Sequence, residues 1–251
     1  MKSKTMVVVA AALALAAGSG AWAAGPQGWK VEITPGLWMA GLEGDMTLAG
    51  QEIDFDRSAG DVLEHMEAGG SVSAKIQCNR LVLGGQVDFF RLATDDLEVA
   101  GHASGARLDT DLLISEVALG YVWDGWKEGQ SFAVGIGARQ AHLDSDLELR
   151  GGGSAGGDQD LADPMLVVWP VLPLFPSKIK GLTLAPAFSI GGGGDSRLVY
   201  EIFPQLRYQV AEHVVARFGY RTVGYQVAED RNGNELDFNL AGLLIGLGAT
   251  F

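Results

Sequence analysis

Three groupings of residues in this sequence have types and spacings that chemistry could use. His102-Ala103-Ser104 sets an imidazole two positions from a hydroxyl. On a strand those two side chains share a face, where the histidine could take the serine's proton. Asp95-Asp96, with His142 and Asp144 further on, offers carboxylates and an imidazole for acid–base work. Asp158, Asp160 and Asp163 form an acidic run, but the D-x-D-x-D-G spacing of a calcium loop is missing, so a solvated acidic loop is expected. The glycine runs 151–153 and 191–194 are not followed by helical patterning and are not read as phosphate loops. His65 reads as a loop residue and His213 as a turn residue. No catalytic centre, cofactor or metal is expected.

A larger set of charges has a different pattern. Lys30, Glu32, Lys75, Asp88, Glu116, Arg139, Asp163, Glu201, Arg207, Arg217 and Arg221 each fall on one face of an alternating segment whose other face is apolar. Period-2 alternation is the mark of a strand with two different environments. Residues 213–225 show it: Val214, Ala216, Phe218 and Tyr220 alternate with Arg217, Gly219 and Arg221. If the apolar face meets lipid, the charges must point inward, since a basic residue costs about 2–4 kcal/mol on the lipid face at mid-membrane. Mixed signs in a narrow interior imply a buried ion-pair network, or else a conduit with a charge filter.

The positioning elements are therefore strands. Alternation recurs in segments at about 30–42, 67–78, 80–93, 108–124, 130–149, 160–174, 181–192, 196–210, 213–228 and 235–251. Short turns fall near 79, 125–129, 177 and 212, and long polar connections at 43–66, 94–107, 150–159, 193–196 and 229–234. This predicts an all-β fold: a transmembrane, antiparallel, up-and-down β-barrel of about ten strands, with eight or twelve as alternatives. Both termini then lie on the short-turn side. Pro170, Pro173 and Pro176 crowd the sixth strand and predict a short, bulged or irregular segment there, because proline removes a ladder hydrogen bond, and Pro35, Pro186 and Pro204 each need a similar local accommodation.

Composition supports the same class. Apolar residues make up 47% of the chain and mean hydropathy is +0.15, yet no run of about 18 apolar residues offers a membrane helix. Glycine, 36 of 251 residues, is about twice as frequent as usual, as crowded inward faces require. Lys2 and Lys4, the apolar run Met6 to Ala17 and Ala21-Trp22-Ala23 read as a secretory signal peptide, residues 1–23. One barrel domain, residues 24–251, follows. The net charge of −13 excludes nucleic acid as a partner. A single cysteine, Cys78, excludes a disulfide scaffold.

The opening Trp29-Lys30-Val31-Glu32-Ile33-Thr34-Pro35-Gly36-Leu37-Trp38, continued by Gly41-Leu42-Glu43-Gly44-Asp45, carries a resemblance. So do Ala59 to Leu63, Gly135 to Arg139, Asp163-Pro164 and Phe218 to Arg221. Together they resemble a widespread group of uncharacterised outer-membrane β-barrel proteins of Gram-negative bacteria, with a W-x-x-E-x-T-P-x-x-W start. The chain departs from that group at Gly191 to Gly194 and in the proline-rich sixth strand. Its final alternating segment, ending on Phe251, resembles the strand by which such barrels are recognised for assembly. The resemblance implies outer-membrane location, contact with outer-membrane lipids, handling by periplasmic chaperones and delivery to the barrel-assembly machinery. It implies a porin-like small barrel but carries over no activity. Weighed residue by residue, the chain reads as an integral barrel of structural or interaction type, or a narrow pore with a charge-filled lumen, and not as an enzyme. The alternative is a membrane-embedded hydrolase. Lipid A deacylases and outer-membrane phospholipases use a His-x-Ser pair on a lipid-exposed strand, but His102-Ala103-Ser104 falls in a glycine-rich loop. Omptin proteases, also ten-stranded, use an Asp pair and a His-Asp pair above the membrane.

Overall fold

The computed structural model describes residues 28–48, 51–57, 66–97, 106–149, 154–227 and 235–251. These contain thirteen β-segments: β1 (Trp29–Leu48), β2 (Gln51–Arg57), β3 (Met66–Cys78), β4 (Leu81–Leu97), β5 (Ala106–Asp124), β6 (Ser131–Leu149), β7 (Ser154–Pro173), β8 (Leu182–Leu184), β9 (Ala187–Gly191), β10 (Ser196–Phe203), β11 (Gln205–Ala211), β12 (Val214–Val227) and β13 (Glu235–Thr250). Every pairing is antiparallel. The sheet runs β3 to β7 in order, and β13 closes on β1 from Glu32↔Thr250 to Thr47↔Glu235. Two walls are each built from two segments: β8 with β9, and β10 with β11. Ten walls thus form a closed barrel. β2 pairs only with β1, from Leu42↔Arg57 upward, above the point where the β1–β3 ladder ends at Gly36↔Ser71.

Two expectations need correction. Residues 43–48, 94–97 and 154–159 are strand, not loop: β6 and β7 stay paired out to Glu148↔Ser154. Polar side chains on both faces marked exposure to water, and a backbone ladder forms equally well there. The proline irregularity lies not in the sixth strand but at two of the other prolines singled out, Pro186 and Pro204. β7 passes through Pro164 and Pro170 without a break, whereas the segment boundaries fall at Ala185-Pro186 and Pro204 in the next two walls. Pro164 turns its backbone past the end of β9, where its carbonyl accepts from Gly192 N at 3.3 Å and no ladder donor is required. Residues 1–23 and the segment 59–63 lie outside the described residues.

The exterior carries a ring of exposed apolar residues, among them Leu119 at 54%, Ile136 at 73%, Ile190 at 53%, Ile202 at 49% and Leu247 at 61%. Such a continuous apolar surface is not compatible with water. On β5 the outward residues run Trp123, Tyr121, Leu119, Val117, Ser115 and Leu113 before reaching Asp111. At about 3.3 Å per residue and a tilt of about 40°, that stretch spans about 25 Å of membrane. Trp123 stacks on Phe132 at 5.4 Å and meets Tyr121 edge-on at 4.8 Å, forming an interfacial girdle near the short turns. In the turn Cys78-Asn79-Arg80, Asn79 takes φ 54°, which Asn tolerates.

Candidate functional site: a stratified lumen

The inward side chains form three layers. Nearest the short turns, Glu32 on β1 accepts from two arginines. Arg207 Nε on β11 reaches its Oε2 at 2.8 Å, and Arg217 Nε on β12 reaches its Oε1 at 2.8 Å. Arg217 Nη1 also donates to Ser73 Oγ at 3.2 Å, and Arg207 Nη2 to Gln209 Oε1 at 3.0 Å. Lys75, opposite Glu32 in the β1–β3 register, places its ammonium 4.9 Å from the centre of the Trp169 ring. Lys30 stands exposed at the mouth.

The middle layer is almost wholly buried. Arg221 Nη1 donates to Asp88 Oδ2 at 2.7 Å and its Nη2 to Glu201 Oε2 at 2.9 Å. Arg139 Nη2 meets the same Glu201 oxygen, donates to Ser189 Oγ at 3.0 Å, and lies 2.7 Å from Glu116 Oε2. Arg139, Arg221, Asp88 and Glu201 are each at most 6% exposed. Charges this deep are tolerable only when paired. Here each arginine meets two carboxylates, although Arg139 Nε and Nη1 and Arg221 Nε have no hydrogen-bond partner among the described residues. Asp163 acts differently: its Oδ1 accepts the backbone N–H groups of Gly194 and Ser196 at 3.1 and 3.0 Å, fixing the β9–β10 turn.

The third layer is apolar. Trp38, Phe90, Leu112, Ile114, Leu161, Val223, Tyr225, Phe238 and Leu240 pack together inside the barrel, away from the short turns. Trp38 is completely buried and meets Phe90 edge-on at 5.5 Å; Tyr225 stacks on Phe238 at 4.8 Å. Sequence reasoning looked for inward charges and passed over this layer. The parity of Trp38, Phe90 and Tyr225 with the luminal charges of their own strands was the signal available. Two cross-strand spaces depend on glycine. A Cβ on Gly84 would come within 2.8 Å of Trp169 Cη2, and one on Gly224 within 2.4 Å of the Tyr200 ring.

A cavity of about 620 Å³ opens at the short-turn end and stops at the middle layer. Glu212 and His213 stand at its mouth, and Phe251 is tied to β1 by reciprocal backbone bonds with Val31 at 2.9 and 3.1 Å.

The other candidate residues are dispersed. His142 and Asp144 lie on the outward face of β6, beyond the apolar belt. His142 Nδ1 pairs with Asp160 Oδ1 of β7 at 2.6 Å and not with Asp144. The outward register row Arg91, Asp111, Asp144, Asp158 continues that surface, with Arg91 forking onto Asp111 at 2.7 and 2.9 Å. Asp158 and Asp160 are exposed strand residues, whereas Asp163 faces inward. His65, His102 and Ser104 lie outside the described residues. Asp95 and Asp96 fall within β4.

These features define a ten-stranded transmembrane β-barrel with a side-chain-filled interior. No protein-family model and no curated protein sequence matches the chain. Among solved structures its fold is similar to that of the outer-membrane protease OmpT from Escherichia coli, with a TM-score of 0.59 at 9% identity over 90% of this chain and 97% of that one. The translocator domain of the autotransporter NalP from Neisseria meningitidis superimposes more loosely, at 0.46 with 13% identity over 97% of this chain and 98% of that one. Ail of Yersinia pestis, the attachment invasion locus protein, gives 0.39 with 13% identity over 89% of this chain and 99% of that one. At these identities the likeness is one of fold.

Proposed function

We propose that this is an outer-membrane barrel of structural or interaction type, not an enzyme, whose lumen is shut to ions by its own side chains. The observation that carries the reading is the stacking of two closures. Arg139 and Arg221, held by Asp88, Glu116 and Glu201, lie directly beneath the packed layer of Trp38, Phe90 and Tyr225. A permeating ion would have to shed water against an apolar constriction and then displace a paired guanidinium. Outer-membrane location draws on the fold, the apolar belt, the signal-peptide pattern and the W-x-x-E-x-T-P-x-x-W opening. Termini and short turns then face the periplasm, where chaperones and the assembly machinery would meet the strand ending in Phe251. The strand extensions of β4 to β7 and the hairpin of β1 with β2 face outward as the interacting part.

Planar-bilayer recording on purified protein tests this. The expected trace has no steady conductance. Large, stable, ohmic steps would overturn the closed lumen and favour a porin-like pore. A hydrolase reading has the His142–Asp160 pair in its favour, since a carboxylate orients an imidazole for base catalysis. On the non-enzymatic reading, His142→Ala should leave any lipid or peptide hydrolysis by the purified protein unchanged.

A further inference from the structure

We propose that the cavity at the short-turn end is a binding site for a small dianion, of the phosphate or compact polycarboxylate class. It goes beyond the closed-lumen reading, because it needs only the vestibule and not the seal above it.

The cavity of about 620 Å³ has the size of a small-molecule site. Four cations line it: Lys30, Lys75, Arg207 and Arg217. Carboxylates reach it from three places. Glu32 stands among the cations, but its two oxygens already hold both arginines. Glu116 and Glu201 border the inner end and are taken by Arg139, with Arg221 adding a second bond to Glu201. Glu212 is at the open mouth, 89% exposed and 3.9 Å from His213. Lys75 is left over. Among the described residues its ammonium makes no ion pair, and its contact is the face of Trp169.

The contrast with the middle layer is informative. There, Arg221 and Arg139 each meet two carboxylates, and negative charge is in excess. At the vestibule Glu32 holds Arg207 and Arg217, while Lys75 and Lys30 bring the cations around the void to four. Over the whole lining the four cations are equalled in number by Glu32, Glu116, Glu201 and Glu212, so the surplus is local: it sits at Lys75, beside the void, where no carboxylate is bonded to the ammonium. Uncompensated cations in a partly desolvated chamber are unfavourable, and an anion drawn from solvent removes the imbalance. The groups suit one: guanidinium edges match the planar or tetrahedral oxygens of carboxylate and phosphate, and Lys75 supplies a point charge. Trp169, lying over the backbone of Gly84 where no Cβ fits, floors the chamber and fixes the ammonium above it.

Protein purified from outer membranes in a zwitterionic detergent is titrated calorimetrically with sodium phosphate, with citrate and with sodium chloride at constant ionic strength. Saturable binding of one phosphate or citrate per barrel, with none for chloride, is expected. Lys75→Gln should weaken it about tenfold or more and Lys75→Arg by less than about threefold, as loss and retention of one close charge pair imply. Lys178→Gln, in a short turn at the same end that does not line the cavity, should leave it unchanged. If Lys75→Gln does not fold, Lys30→Gln at the exposed mouth is read instead, with about a threefold loss expected. Equal heats for phosphate, citrate and chloride overturn the proposal, as does unchanged affinity in the folded Lys75→Gln or, in its place, the Lys30→Gln variant. Conductance without loss of binding would sink only the closed-lumen reading; absent binding in a non-conducting barrel would sink only this one.

Discussion

The guanidinium carbon of Arg221 lies 4.3 Å from the centre of the Trp38 ring. One side chain thereby ends the charged layer and begins the apolar one: its nitrogens turn to Asp88 and Glu201 while its flat face covers the indole. Stacked guanidinium and indole attract through the ring quadrupole, more strongly when desolvated. Replacing Trp38 by Ala removes a fully buried ring together with that face. A loss of about 3–5 kcal/mol is expected in urea unfolding of the barrel in lipid vesicles, and a loss below about 1 kcal/mol would show that Trp38 does not pack the lumen.

Arg221→Ala leaves Asp88 and part of Glu201 without a counter-charge. Breaking one partner of a buried pair costs about 3–5 kcal/mol, and the same unfolding assay should show it. Arg80→Ala is the comparison. Its bridge to Asp124, at 3.0 Å, joins side chains 55% and 85% exposed, so the change should be under about 1 kcal/mol. Equal effects at the two sites would contradict the layered lumen. The double change Arg217→Ala with Arg221→Ala should add a measurable leak in bilayers.

Ile136 is the most exposed residue of the apolar belt, at 73%. On a water-soluble protein a charge there would be harmless. On a lipid face near mid-membrane, Ile136→Arg should cost about 2–4 kcal/mol. A neutral result in vesicles, with folding verified by gel migration with and without heating, would argue against the assigned belt.

Orientation is open to thiol labelling. Cys78 lies at the short-turn end of β3, so a membrane-impermeant maleimide should not modify it on intact cells. In a Cys78→Ser background, Asp158→Cys on the exposed extension of β7 should react readily. The reverse pattern would invert the barrel.

Alternation made inward and outward residues legible, because side chains on a strand switch faces at every step whatever the strand pairs with. The sequence by itself therefore determined the fold class, the ten walls, the lipid-facing belt and the short-turn ends. It misjudged strand length, since polar residues beyond the membrane lose the apolar signal while the ladder continues from Asp144↔Asp158 to Glu148↔Ser154. It expected the main proline irregularity in the sixth strand, which runs unbroken, whereas the segment boundaries fall at Pro186 and Pro204, two of the other prolines it singled out.

Only tertiary structure decided which inward residues meet. Glu32 and Arg217 are 185 positions apart, and Arg139 and Glu201 62 apart. Their heights in the barrel depend on strand tilt and on the stagger fixed at closure, quantities set by the whole ring of ladders and not by any one strand. For the same reason the separation into a cationic vestibule, a paired middle layer and an apolar cap cannot be read from composition. Each layer is assembled from residues on several different strands, and the layers exist only once β13 has closed on β1.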